Sequence, residues 1–306
     1  MSPKNTPLEN LLEQFRHHLE TRDLSHHSIR AYLSDLRQFT AWFAEHTGEA
    51  FTLASVTEYD VHDWRDHLAA KTKPATVNRK LAAVSALFRW AGETGQVEGD
   101  PTRYINGVAR QQTAPKGLSD QDLRRILRKT HSVGSKRDAA LLELLAATGL
   151  RVSEVAGLKI GDVELGERHG WVTVQATKGK GRKHRRVPIH TKARRVLWEY
   201  LEEQGFDQDK PLPADRADEP LFLSQKDGGM SPYAVWYTVK KYTRLAGVED
   251  VTPHTFRHTV ATQLVRDPEV DLVTAATFLG HSRLDTTAQY SRPGEEDLAK
   301  EAEKIG

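Results

Sequence analysis

Arg151, His254, Arg257, His281 and Tyr290 would form one reaction centre if folding brought them together, with a lysine drawn from the turn at 177–189. Cleaving a phosphodiester without a metal requires positive or hydrogen-bonding groups around the two non-bridging oxygens and a proton donor for the leaving oxygen. Two arginines, two histidines and one lysine meet that requirement, and a tyrosine hydroxyl supplies a nucleophile. Arginine suits the task because its planar fork of donors matches two phosphate oxygens and keeps its proton at working pH. A covalent tyrosine ester would store the broken bond, so that the step could be reversed without outside energy.

Each residue also has a plain structural use when taken alone. Arg151 can pair with Glu154 on the next helical turn. His258 stands at i+4 from His254, but the string HTFRH lacks the glutamate that zinc-binding helices carry beside their first histidine, so a satisfied structural role is read for His258 and no metal is expected. His281 follows a glycine that ends a helix, where a capping role would do. Tyr290 on a short helix opened by Asp285 or Thr286 could serve packing.

The elements that must position these residues are mostly helical. Apolar residues recur at helical spacing in Leu8–Leu19 and Ile29–Phe43, with Ser25 or Ser28 placed to cap the second run. Thr57 caps a shorter run through Val61, Trp64 and Leu68, and Pro74 opens one through Val77, Leu81, Val84 and Leu87. Glycine, proline, asparagine and glutamine without apolar period mark a linker within 92–117, centred on 108–116. Beyond it, Ser119 with Asp122 resembles a capping box, Asp138–Gly149 reads as an apolar helix ended by glycine, and helical patterns return at 192–202, 231–246, 253–264 and 272–279. The segments 171–175 and 185–190 read as strands joined by the turn KGKGRK. The expected fold class is mainly α with a small β-sheet. The domains are expected at 1–108 and 117–306, joined by a linker at 109–116.

Composition narrows the classes. With 38% hydrophobic and 28% charged residues the chain reads as globular, and no apolar run is long enough for a membrane helix, so a cytoplasmic protein is expected. The absence of cysteine removes disulfides and thiolate zinc sites. A net charge of +2 says little about partners, but nine Lys or Arg and no Asp or Glu lie between Lys178 and Arg195. Such a run is either a solvated face or a phosphate-binding stripe at a hairpin tip. KGKGRK lacks the nucleotide-binding pattern GxxxxGK[ST], and no cofactor is implied.

The strings AATGLRVSEVAGLKIGDV (146–163), TKGKGRKHRRVPI (177–189), HTFRH (254–258) and LGHSRLDTTAQY (279–290) resemble, in order, the signatures of phage-integrase-like tyrosine recombinases. HSIRAYLSDLRQF and ATVNRKLAAVSALFRWA resemble that family's helical core-binding domain, a SAM-like bundle, in its Xer-like branch. The resemblance spans nearly the whole chain. It implies that Arg151 and Arg257 clamp the scissile phosphate, with Glu154 accompanying the first arginine. It also implies that His254 hydrogen-bonds the phosphate and shuttles protons, that His281 stabilises developing charge, and that Tyr290 attacks to leave a 3′-phosphotyrosyl link and a free 5′-hydroxyl.

Counting back from Val187-Pro188 favours Lys180 as the donor to the 5′ oxygen, although Lys178 and Lys183 share the turn. Lys178, Arg182, Lys183 and Arg185 are expected to contact DNA phosphates. Double-stranded DNA with specific sites, gripped from opposite sides by the two domains, and a homo- or hetero-tetramer are the implied partners. The tail GEEDLAKEAEKI is expected either to dock on a neighbouring protomer or to fold back on its own domain. A type IB topoisomerase, a DNA-binding protein without catalysis and a metal-dependent nuclease are the competing classes.

Overall fold

In the computed structural model, the described residues are 7–22, 24–109, 117–175, 184–225, 228–281 and 283–291. They fall into two compact units, one built from residues up to 109 and the other from residue 117 onward.

The N-terminal unit contains α1 (Pro7–Thr21), α2 (His26–Thr47), α3 (Glu58–Ala69) and α4 (Pro74–Glu93). Each start has a chemical reason. Ser25 accepts from the Ser28 N–H, Thr57 and Asp60 form a reciprocal capping box, and Pro74 occupies the first turn of α4, where no N–H is needed. The apolar stripes of the four helices close on one core that includes Phe15, Leu36, Phe39, Phe43, Val84 and Phe88. Val97, Ile105 and Val108 pack against the same core, so the chain after α4 stays with this unit. Asn78 fastens its end: the side-chain amide donates to the Val108 carbonyl at 2.9 Å and accepts from the Val108 N–H at 2.8 Å.

The second unit carries α5 (Asp120–Val133), α6 (Lys136–Thr148), α7 (Val152–Ala156), β1 (Val163–Leu165), β2 (Gly170–Val174), β3 (Arg185–Pro188), α8 (Thr191–Glu203), α9 (Pro232–Leu245), α10 (Pro253–Arg266), α11 (Leu272–Leu279) and α12 (Asp285–Ala288). The strands form an antiparallel sheet in the order β1-β2-β3, with Val172 opposite both Val163 and Val187. Those three valines and Val174 point to the buried face.

α6 organises this unit. Ala139, Ala140, Leu141, Leu142, Leu144 and Leu145 are all buried, so the helix is apolar nearly all round and packs on α5, α8, α9 and α10. Of its buried polar residues, Asp138 accepts from the Tyr242 hydroxyl at 2.8 Å and pairs with Arg137, which leaves that carboxylate satisfied. α10 packs on α6 and α11, and α11 also packs on β3 and α12; this chain of contacts carries the site.

Two elements, α7 and β1, leave no periodic trace in the sequence. Five residues and three residues are too few to display a period, and β1 buries only Val163. α12 starts at Asp285 but its cap is Leu284 in helical conformation, and Tyr290 lies two residues past the helix end. The turn residues Lys178, Lys180, Arg182 and Lys183, and the tail from 292 to 306, lie outside the described residues. No helix among the described residues is long and apolar enough to cross a membrane.

Gly149 ends α6 with φ 59°, a left-handed conformation that side-chain-bearing residues adopt at a cost of about 1–2 kcal/mol. A Cβ there would also lie 3.1 Å from Cβ of Val260 on α10. Gly149→Ala should therefore lower stability by about 1–3 kcal/mol in urea titrations.

Candidate active site

Two helix ends meet in this site, both of them C-terminal. α6 ends at Gly149 and α11 at Gly280, and each glycine is left-handed. The last carbonyls of a helix lack intrahelical partners and carry the negative end of its dipole. Arginines occupy them. Arg257 on α10 donates to the Gly149 carbonyl at 2.9 Å and to the Leu279 carbonyl at 2.6 Å; Arg151 donates to the Gly280 carbonyl at 3.3 Å; Arg185 on β3 donates to the Phe278 carbonyl at 3.2 Å. The two helix ends thus tie three guanidinium groups together.

One carboxylate holds two of them. Glu154, one turn into α7, accepts from the Arg151 backbone N–H at 2.8 Å and its guanidinium at 2.9 Å. It accepts Arg185 in a two-pronged pair at 2.9 and 3.0 Å. Burial alone would raise the Glu154 carboxyl, but the Arg185 and Arg151 hydrogen bonds and charges bring it down to about 2. Gly280 is required here for space as well as conformation, because a Cβ would fall 2.7 Å from the Arg185 guanidinium.

Three guanidinium charges against one carboxylate leave an excess of two positive charges at Arg151, Arg185 and Arg257. Arg257 is buried, and burial followed by the neighbouring Arg151 charge lowers it to about 10, which still leaves it protonated at neutral pH. His281 feels the same excess. Burial, then Arg257, Arg151 and Arg185, lower it to about 4, so its ring is neutral at pH 7. The His281 Nδ1 meets the buried Thr287 hydroxyl at 2.8 Å, which fixes the ring plane.

Tyr290 is 5% exposed and packs on Val260, Ala261 and Leu279. The His281 ring stacks on the phenol at 6.4 Å with planes 7° apart. The hydroxyl meets Nδ1 of His258 at 2.6 Å. Burial raises the Tyr290 hydroxyl, while Arg257 and Arg151 pull it back. The phenol therefore stays protonated until something accepts its proton, with positive charge close by for the oxyanion.

The structure brings together Arg151, Glu154, Arg257, His281 and Tyr290. His254 lies exposed on the first turn of α10, one helical turn from His258. Arg185, read from sequence as a DNA phosphate contact, stands inside the site with its guanidinium committed to Glu154 and Phe278. No local signal marked it, since Arg151 already offers Glu154 a partner and Arg185 looks like its neighbours in the basic run. His258 was read as structural, and nothing within α10 shows that Tyr290 would return to it from 32 residues away. Thr287 gave no signal at all.

Comparison with known proteins identifies the family. The model of the phage integrase family matches residues 116–296, and that of the phage integrase N-terminal SAM-like domain matches residues 12–95. The chain is 34% identical over 290 residues to tyrosine recombinase XerC of Pelobacter propionicus, covering 93% of this chain and 91% of that protein. It is 34% identical over 274 residues to tyrosine recombinase XerD of Pseudomonas putida, covering 88% of each. Its fold is similar to the XerH site-specific recombinase bound to difH substrate in a pre-cleavage complex, with TM-score 0.70 at 24% identity over 95% of this chain and 83% of that one. It is also similar to a lambda integrase tetramer bound to a Holliday junction, with TM-score 0.68 at 17% identity over 92% and 79% of the two chains.

Glu154 is ionised in the folded state down to about pH 2 against an ordinary value of 4.5. A depressed carboxylate contributes stability that is complete above the unfolded value and lost as pH falls through the folded one, here up to roughly 3 kcal/mol. In urea titrations the stability difference between wild type and Glu154→Gln should be largest above pH 5 and shrink progressively toward pH 3.

Proposed function

The chain belongs to the phage integrase family of tyrosine recombinases, and from that we propose that it cleaves and rejoins DNA at specific sites through a 3′-phosphotyrosyl bond to Tyr290. One observation carries the assignment to this tyrosine: its buried hydroxyl sits beside a cationic cluster whose excess of two positive charges exceeds the single negative charge of a phosphodiester and matches the doubly negative, phosphorane-like transition state that follows.

In this reading Arg151 and Arg257 receive the non-bridging oxygens. Their remaining donors are fixed to helix-end carbonyls and Glu154, so the clamp is set before DNA arrives and little reorganisation accompanies the reaction. His254 adds a hydrogen bond to the phosphate from the exposed turn of α10. His281, neutral in the free protein, gains an anion as neighbour when the phosphate binds; its basicity rises and it stabilises the charge that develops on the phosphorane oxygens. Lys180 protonates the 5′ oxygen as it leaves. Lys178, Arg182 and Lys183 contact flanking phosphates, while Arg185 holds Glu154 in register.

The proposal extends to assembly. Residues 1–108 act as a helical DNA-binding domain and 117–306 as the catalytic domain, with 109–116 between them. Cutting and exchanging four strands takes four copies, a homo- or hetero-tetramer on DNA, as the lambda integrase neighbour forms on a Holliday junction. The C-terminal tail docks on the next protomer, and the protein works in the cytoplasm, on the nucleoid. The chemistry calls on no metal or nucleotide, since arginines neutralise the phosphate and the tyrosine ester keeps the bond energy.

The test uses a nicked duplex carrying the sequence that the protein enriches from a random-sequence DNA library. Wild type should yield a covalent protein–DNA band on a denaturing gel with EDTA present. Tyr290→Phe should yield none while binding the duplex normally, and Arg257→Ala should slow the band by at least about 100-fold. A covalent band of wild-type intensity from Tyr290→Phe would refute the assignment.

A further inference from the structure

Attack by a phenol requires a proton acceptor at the moment the oxygen–phosphorus bond forms, and His254, the proton shuttle that the family resemblance implies, lies exposed on the first turn of α10. Four basic groups surround the hydroxyl. Arg257 stays protonated at neutral pH, and the Arg151 guanidinium is committed to Glu154 and the Gly280 carbonyl. His281 presents a ring face to the phenol and commits Nδ1 to Thr287. His258 alone, among the described residues, has a ring nitrogen within hydrogen-bond distance of the Tyr290 hydroxyl, at 2.6 Å.

From this geometry, and resting on the reading of Tyr290 as nucleophile, we propose that His258 is a catalytic residue: the general base that takes the Tyr290 proton on cleavage and returns it on rejoining. Two further observations support it. The His258 and Tyr290 rings are 5.6 Å apart and tilted by 45°, so the imidazole reaches the hydroxyl edge-on, as proton transfer between Nδ1 and Oη requires. Burial, then the charges of His254 and Arg257, lower His258 below its ordinary 6.5, which keeps its acceptor lone pair available at neutral pH. The charged and titratable groups facing it are His254 and Arg257 on its own helix, His281 after α11 and Tyr290 after α12.

The step balances as follows. The Tyr290 Oη–H bond breaks and its proton passes to His258 Nδ1, while Oη forms a bond to phosphorus. The phosphorus–O5′ bond breaks, and the 5′ oxygen takes a proton from the acid proposed at Lys180. Rejoining reverses every transfer. With burial pushing the phenol up and the imidazole down, full transfer before bond formation is unfavourable, so the proton moves as the oxygen–phosphorus bond forms.

A buried phenol also needs a hydrogen-bond partner for purely structural reasons, and the experiment separates the two roles. In His258→Asn the amide oxygen replaces Nδ1 as an acceptor but cannot take a proton; His258→Gln serves as a second variant. Both are first checked for wild-type binding of the nicked, library-selected duplex, with Tyr290→Phe as the non-cleaving control. Cleavage is then timed in single turnover from pH 6 to pH 9, on ordinary DNA and on DNA whose scissile 5′ oxygen is replaced by sulfur, which departs without an acid. We expect His258→Asn to cleave at least about 100-fold more slowly at pH 7. Its rate should climb about tenfold per pH unit as hydroxide replaces the base, with no rescue by sulfur, whereas Lys180→Ala should be rescued. Cleavage by His258→Asn within threefold of wild type, an unchanged pH profile, or rescue by sulfur would each overturn the proposal. If only this variant behaves like wild type while Tyr290→Phe is inert, the base assignment fails and the nucleophile stands; a covalent band from Tyr290→Phe fells both.

Discussion

The site depends on cations docked at helix C-termini. A helix end that stops inside a protein has carbonyls without partners, and leaving them so costs free energy for each buried group. Here Gly149, Phe278, Leu279 and Gly280 present such carbonyls, and Arg257, Arg151 and Arg185 satisfy them. Three like charges would repel one another in a buried site; the helix dipoles and Glu154 make the cluster tolerable. The result is neither neutral nor fully compensated. It holds positive charge in reserve, and every other titratable group in the site responds to that reserve: Glu154 is driven down, His281 is held neutral, and the Tyr290 hydroxyl has a stabilising field waiting for its oxyanion.

The rest of the second unit serves to bring those helix ends together. α6 is buried on almost every side, so its C-terminus cannot drift, and α10 packed against it delivers Arg257 to the Gly149 carbonyl. α11 lies between α10 and β3, which is why its last turn receives arginines from both. Both left-handed glycines are needed where they stand. Gly149 accommodates Val260 of α10, and Gly280 leaves room for the Arg185 guanidinium. The same turn aims His281 at Tyr290, so one helix end contributes acceptors for the clamp and a ring face for the nucleophile.

Long elements were legible in the sequence because many residues share each period: all four N-terminal helices and the 171–175 and 185–190 strands appear where apolar spacing and caps put them. Short ones were not, since α7 and β1 offer too few residues for a period to register. Family signatures carried Arg151, Glu154, Arg257, His281 and Tyr290 to the same place. What spacing could not convey was contact between elements distant in the chain. The Arg185 pairing with Glu154 across 31 positions, the His258 hydrogen bond to Tyr290 across 32 and the Thr287 grip on His281 are products of tertiary packing. Arg185 in particular sits in a basic run whose members look alike in sequence, and only the strand register turns it inward.

The central claim is that this cationic cluster serves one nucleophile, and the most direct test locates the covalent bond itself. The protein–DNA adduct trapped on the nicked duplex would be digested with nuclease and trypsin and its peptides sequenced by mass spectrometry. The account predicts a nucleotide attached through its 3′-phosphate to Tyr290, within the peptide that begins at Leu284. Attachment to any other side chain, or a 5′-phosphate linkage at Tyr290, would contradict it.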